Sequence, residues 1–163
     1  MTSTADDVRE VLAGVMDPEI PVLSLEDLGV LRGVAVDGDQ VVVTVTPTYS
    51  GCPAMDEIRA DIRTALTGQG WRDVEVRTVL SPAWTTDDLT EQGRRRLQEF
   101  GIAPPAARAG GPVLVPLGRR PDVACPQCGS TDTEELARFA STSCKALWRC
   151  RACREPFDHF KAH

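Results

Sequence analysis

No stretch of the 163 residues approaches the roughly 20 consecutive apolar residues that a membrane span requires, which excludes insertion by a helix. The opening Met1-Thr2-Ser3-Thr4-Ala5-Asp6-Asp7 is acidic where a secretory leader would be basic and then apolar, so the expected compartment is the cytoplasm. Glycine and proline together make up about 15% of the chain, too little for a low-complexity segment. No internal repeat is visible, and 42% hydrophobic against 26% charged residues is globular composition. Histidine is nearly missing: His159 and His163 are the two imidazoles, both at the C-terminal end. A thiol nucleophile needs a base within reach, so thiol catalysis ranks last among the functions considered. The Glu-x-x-His pair of di-iron bundles is also absent, and this chain alone is not read as an oxygenase.

What charge there is divides unevenly. Residues 1–118 hold 10 Lys/Arg against 18 Asp/Glu, whereas residues 119–163 hold 8 against 6. An acidic body repels a phosphate backbone, so nucleic-acid binding would have to come from the tail, through Arg149, Arg151, Arg154 and Lys161, and is disfavoured.

Local patterns give an α-β-β-α-β order within residues 1–80. Thr4 and Asp7 suit a capping box, followed by Val8, Val11, Leu12 and Val15 on one helical face, with Asp17-Pro18 as the stop. Leu28–Val36 and Val41–Thr48 read as strands joined through Asp37-Gly38-Asp39. Cys52-Pro53 opens a second helix lined by Met55, Ile58, Ile62, Ala65 and Leu66 and closed by Gly68 or Gly70. Val74, Val76 and Val79 give a third strand. The expected fold class is α+β: a small two-layer domain with a three-stranded sheet and helices, followed by a C-terminal metal-bound ribbon. Residues 81–122 read as short helices (Thr85–Leu89 and Arg94–Phe100) and a Pro/Gly-rich linker, and residues 123–163 as the ribbon.

Five of the six cysteines lie within 29 residues. Cys125-Pro126-Gln127-Cys128 and, after 21 intervening residues, Cys150-Arg151-Ala152-Cys153 are two turns whose sulfurs can complete a tetrahedron around one metal. Zinc is the leading occupant and an iron–sulfur cluster the alternative. A module of about 40 residues has too small a core to fold unaided, so the metal supplies much of its stability. Cys144, His159 and His163 are candidates for an additional metal or cluster. The plainer readings are a packed strand residue for Cys144 and exposed terminal side chains for the histidines.

Cys52 stands near a helix start, where free N–H groups favour a thiolate, though a lone cysteine there is also a common apolar filler. Asp17, Glu19, Glu26 and Asp27 offer hard oxygens suited to iron; an acidic loop is equally a solvated face.

Asp17-Pro18-Glu19-Ile20-Pro21, Asp27-Leu28-Gly29 and Thr48-Tyr49-Ser50-Gly51-Cys52-Pro53 resemble the SUF-associated iron–sulfur assembly domain family over residues 1 to 80. Ser81-Pro82-Ala83-Trp84-Thr85-Thr86-Asp87, Phe100-Gly101-Ile102-Ala103-Pro104-Pro105 and the cysteine-rich tail resemble the D-subunit family of bacterial 1,2-phenylacetyl-CoA epoxidase systems. The resemblance implies a non-catalytic accessory component in phenylacetate degradation that helps assemble or insert iron or iron–sulfur centres. It implies a transient iron or cluster at Cys52, with Asp17, Glu19, Asp27 and Thr48 shaping the pocket. Partners implied are the oxygenase or reductase subunits or other iron–sulfur assembly proteins. Open edges of the small sheet leave room for a homodimer. The family pattern usually ends Phe-Lys-Cys-His, whereas this chain has Phe160-Lys161-Ala162-His163, so no terminal thiol is available as a ligand. The alternative function is a zinc-ribbon interaction or nucleic-acid-binding module with no metal transfer.

Overall fold

A computed structural model describes residues 4–106 and 122–161. These divide into two compact units, Met1–Gly93 and Arg94–His163. The part of the expected linker between 107 and 121, together with His163, lies outside the described residues.

In the first unit α1 (Ala5–Leu12) opens with the expected capping box: the Thr4 hydroxyl accepts the Asp7 N–H and the Asp7 carboxylate accepts the Thr4 N–H. The helix ends at Leu12, five residues before Asp17, because Ala13 and Gly14 turn the backbone with short bonds to Arg9, Val11 and their neighbours. Strands β1 (Leu31–Asp37) and β2 (Gln40–Val45) form the antiparallel hairpin. Helix α2 (Met55–Gly68) then crosses over to β3 (Asp73–Thr78), which pairs with β2 in parallel. The sheet order is β1-β2-β3. Val41, Val43 and Val45 are fully buried at alternate positions of β2. They meet a helical layer in which Val8, Leu12, Ile58, Ile62 and Leu66 are buried. The α+β expectation therefore holds, with the three-stranded sheet in place.

The segment from Val15 to Val30 is not a solvated acidic loop. Ile20, Leu23, Leu25, Leu28 and Val30 are all buried, and Leu25 N–H donates to the Val15 carbonyl at 3.0 Å, closing the loop on itself. Residues 84–93 then strap this loop down. Trp84 Nε1 donates to the Leu28 carbonyl at 2.8 Å, and Arg32 binds Asp88 through both terminal nitrogens at 2.8 and 3.1 Å. Asp88 also accepts the Thr85 N–H, capping a 3₁₀ turn at Thr86–Asp88. Gly29 sits at φ +74°, and a Cβ there would fall 2.2 Å from the Asp88 carbonyl oxygen, so only glycine lets the strap lie against the loop.

Helix α3 (Glu91–Glu99) follows, its Gly93 N–H capped by the Thr90 hydroxyl at 2.9 Å. In the second unit β4 (Ile102–Ala103), β5 (Thr133–Ala137), β6 (Lys145–Cys150) and β7 (Pro156–Phe160) form a sheet of order β4-β7-β6-β5. β5-β6-β7 is an antiparallel meander, and β4 adds to β7 in parallel. Ala103, Val123, Cys125, Ala146, Trp148, Cys150 and Phe157 make its core. So small an apolar cluster needs a further source of stability. No helix among the described residues is long and apolar enough to cross a membrane.

Candidate metal centre and assembly site

The two Cys-x-x-Cys segments form matching turns. Cys125 N–H donates to the Ser130 carbonyl at 2.9 Å, and Cys150 N–H donates to the Glu155 carbonyl at 2.9 Å, five residues on in each case. The result gathers Cys125, Cys128, Cys150 and Cys153 with all four sulfurs within 4.8 Å of one another. The Cys125–Cys153 and Cys128–Cys150 sulfurs stand 3.7 and 3.5 Å apart. A tetrahedron of thiolates at zinc–sulfur distances of about 2.3 Å has edges of about 3.8 Å, so the donor set fits one ion of that kind. Cys125 and Cys150 are buried, whereas Cys128 and Cys153 face solvent. The Cys153 N–H, followed by the neighbouring sulfurs, pulls the Cys150 thiol down to about 7 against the burial that opposes it. Cys153 is pulled down by the Glu155 backbone, but desolvation and the three adjacent sulfurs outweigh this and push it up to about 12. Cys150 and Cys153 are thus pushed in opposite directions, a conflict that a bound divalent cation would remove by favouring the thiolate form of its ligands.

Of the other proposed ligands, Cys144 and His159 are not brought to this cluster. Cys144 precedes β6 and Cys150 ends it, which separates them by about 20 Å of extended strand. Cys144 is buried just before β6, with its sulfur 3.0 Å from the Thr142 hydroxyl and its carbonyl accepting the Lys161 N–H. His159 pairs with Ala146 across β6–β7 and packs edge-on against Trp148, with ring centroids 5.7 Å apart. Burial pushes its pKa down to about 4, so the ring is neutral near pH 7.

Around Cys52 the chain departs from its expected course. Helix α2 begins at Met55 with Ala54 as its cap, so Cys52 lies two residues before the cap rather than in the first turn. It sits instead in a turn closed by its own N–H to the Tyr49 carbonyl at 3.2 Å, and its side chain is half-buried. The helix-dipole argument for a thiolate weakens accordingly, since that effect is confined to the first turn. Thr48 is buried nearby in sequence, as is Thr46, whose N–H donates to the Val30 carbonyl at 2.9 Å and ties this turn to the 15–30 loop.

The acidic residues have structural employment. Asp17 is buried, and its carboxylate accepts the Glu19 and Ile20 N–H groups at 2.9 and 2.8 Å. Asp27 is buried too, and its carboxylate accepts the Thr90 hydroxyl at 3.1 Å while its carbonyl accepts the Thr90 N–H. Glu26 is exposed and Glu19 half-buried. Among the described residues these four are not gathered into a group of three or more close ligand atoms. Sequence reasoning missed Trp84, Asp88 and Thr90, which fix the Asp27-Leu28-Gly29 loop from 56 to 63 residues away. The clue was the Thr85-x-x-Asp88 cap, which announces an ordered turn without saying where it docks.

Comparisons with known proteins fit this two-part layout. Residues 109–161 match the PaaD zinc beta ribbon domain, and residues 5–78 match the iron–sulfur cluster assembly protein family. An Escherichia coli protein, provisionally named as the D subunit of 1,2-phenylacetyl-CoA epoxidase, is 47% identical over 95% of this chain and 91% of its own. The chain belongs to the family of phenylacetyl-CoA epoxidase D subunits. An Fe-S protein maturation auxiliary factor of Porphyromonas gingivalis is 36% identical over 58% of this chain and 90% of its own. Among solved structures, a domain of unknown function from Bacillus anthracis aligns with TM-score 0.54 at 26% identity, covering 57% of this chain and 90% of that one. This chain thus joins an assembly-type domain to a zinc ribbon domain.

Proposed function

We propose that this D-subunit family member is an accessory maturation factor of a phenylacetyl-CoA epoxidase complex, with iron or an iron–sulfur centre as its cargo and an oxygenase or reductase component as recipient. The observation that carries the reading is a chain matched along 95% of its length by an epoxidase D subunit while its first unit matches the iron–sulfur assembly family. Cys52 is the proposed contact to the cargo. It is half-buried in a short turn outside any strand, and one accessible thiol holds a metal weakly enough to release it. Asp17, Glu19, Asp27 and Thr48 act on the cargo, in this reading, by shaping the loops around that thiol rather than by ligating it. The loops are held in place by Asp17 and Asp27 themselves.

Zinc is the proposed occupant of Cys125, Cys128, Cys150 and Cys153. Sulfurs all within 4.8 Å of one another suit a single tetrahedral ion, and the match of residues 109–161 to a zinc beta ribbon domain supports the same reading. The bound ion would supply structural stability, joining the turn before β5 to the β6–β7 turn. A Cys52→Ser variant tests the cargo role. It should fold as the wild type does yet lower the iron content of the oxygenase or reductase component matured beside it; unchanged iron content would sink the proposal.

A further inference from the structure

One row of the second unit's sheet is built from small residues around a histidine. Ala103 of β4, His159 of β7 and Ala146 of β6 lie side by side across three strands. An alanine on each flank offers only a methyl group, which leaves space beside the imidazole. His159, both alanines and Trp148 line a cavity of about 490 Å³, a size within the range of small-molecule sites. Two polar side chains line it without a protein partner. Trp148 is 3% exposed, and its indole N–H has no acceptor. His159 is 8% exposed, and its ring makes no hydrogen bond among the described residues, so nothing offsets its burial. Buried donors and acceptors are nearly always paired, so two adjacent orphans at one cavity indicate that something else completes them.

The geometry points to this cavity as a binding site for an uncharged small molecule in which an apolar body carries an amide. The lining holds two acids, Asp122 and Glu135, against two bases, Arg138 and Lys161, and the Lys161 ammonium already donates to the Arg138 carbonyl. An anion entering there would lose its water without gaining a counter-charge. The indole is a donor only, whereas the neutral imidazole has one donor and one acceptor nitrogen. An amide complements both: its oxygen accepts from the indole, and its N–H or its oxygen serves the imidazole in either tautomer. Pro104, Pro105 and Val123 give the apolar body its wall. No cysteine lines the cavity, so the proposal stands apart from metal transfer at Cys52.

The test is a ligand-detected NMR titration of the full metal-containing chain with benzamide, benzoate and ethylbenzene, which share a ring and differ in the group it carries. Benzamide should bind saturably and about fivefold or more tightly than either of the others, the margin that one buried hydrogen bond provides. His159→Phe keeps an aromatic ring and removes both nitrogens. It should weaken benzamide by about fivefold and leave ethylbenzene binding no weaker than before. Should that variant fail to fold, the wild type still decides: its His159 ring nitrogens should shift in step with benzamide occupancy. No saturable binding, the result if ordered water alone fills the cavity, would overturn the assignment. So would benzoate binding as tightly as benzamide, an equal loss of benzamide and ethylbenzene in His159→Phe, or unmoved His159 nitrogens.

Discussion

Replacing Gly29 by alanine should detach the strap of residues 84–93 from the Val15–Val30 loop. The new Cβ would lie 2.2 Å from the Asp88 carbonyl oxygen and 2.7 Å from its carbonyl carbon, distances at which one backbone must move. An alanine at φ +74° costs about 1 kcal/mol by itself. Displacing Asp88 disrupts its two bonds with Arg32, a part-exposed pair worth about 1 kcal/mol at most. The buried Trp84–Leu28 hydrogen bond adds about 1 kcal/mol. The sum is about 3 kcal/mol, a large part of the roughly 5–15 kcal/mol that holds a domain together. Urea unfolding of the full chain followed at 222 nm, where α1 and α2 dominate the first unit's signal, should show it as a fall in midpoint of about 2 M. Gly33→Ala is the control: no atom lies within 4 Å of its Cβ position and its φ is not in the left-handed region. Asp88→Ala should cost less in the Gly29→Ala background than in the wild type, since both changes undo the same contact. A loss below about 1 kcal/mol, or full additivity with Asp88→Ala, would refute the claim that Gly29 exists for the strap.

Two further outcomes follow from the second unit. His159 titrates near 4 when folded and near 6.5 when unfolded, so the unfolded chain takes up the proton first. Its contribution is fully present above pH 6.5 and is lost as pH falls toward 4, by about 3 kcal/mol at the limit. His159→Gln should flatten that part of the stability–pH curve relative to wild type, and an unchanged slope would contradict the assignment. Removing the metal with a chelator should expose Trp148, seen as a red shift of its fluorescence, because seven core residues cannot replace the metal's contribution. The 222 nm signal of α1 and α2 should persist; a buried Trp148 after chelation would mean that the ribbon folds without metal.

Features written in short spacings were readable in the sequence. The Thr4-x-x-Asp7 box, the β1–β2 hairpin and the paired cysteines all depend on residues within a few positions of one another, where local chemistry decides the outcome. Cys52-Pro53 misled because proline suits a turn as well as a first helical position, and here the chain makes one more turn before Ala54 caps α2. The strap and β4 were invisible for a different reason. Ile102-Ala103 is a strand only because β7 lies alongside, and Asp27 is buried only because Thr90 arrives 63 residues later. The acidic loop illustrates the same limit: its charges drew attention, but its alternating buried leucines determined where it went.

The pairing of β4 with β7 changes how this protein can be dissected. A fragment beginning at residue 109 or 123 would contain all four cysteines and still lack Ile102 and Ala103, leaving the backbone of Asp158 and His159 without its neighbour. An uncovered strand of that kind recruits another chain, so such a fragment would self-associate and its binding properties would be those of an aggregate. A transplant of the metal module onto another protein therefore has to start upstream of α3, at or before Glu91, to carry both the helix and the strand that finishes the sheet.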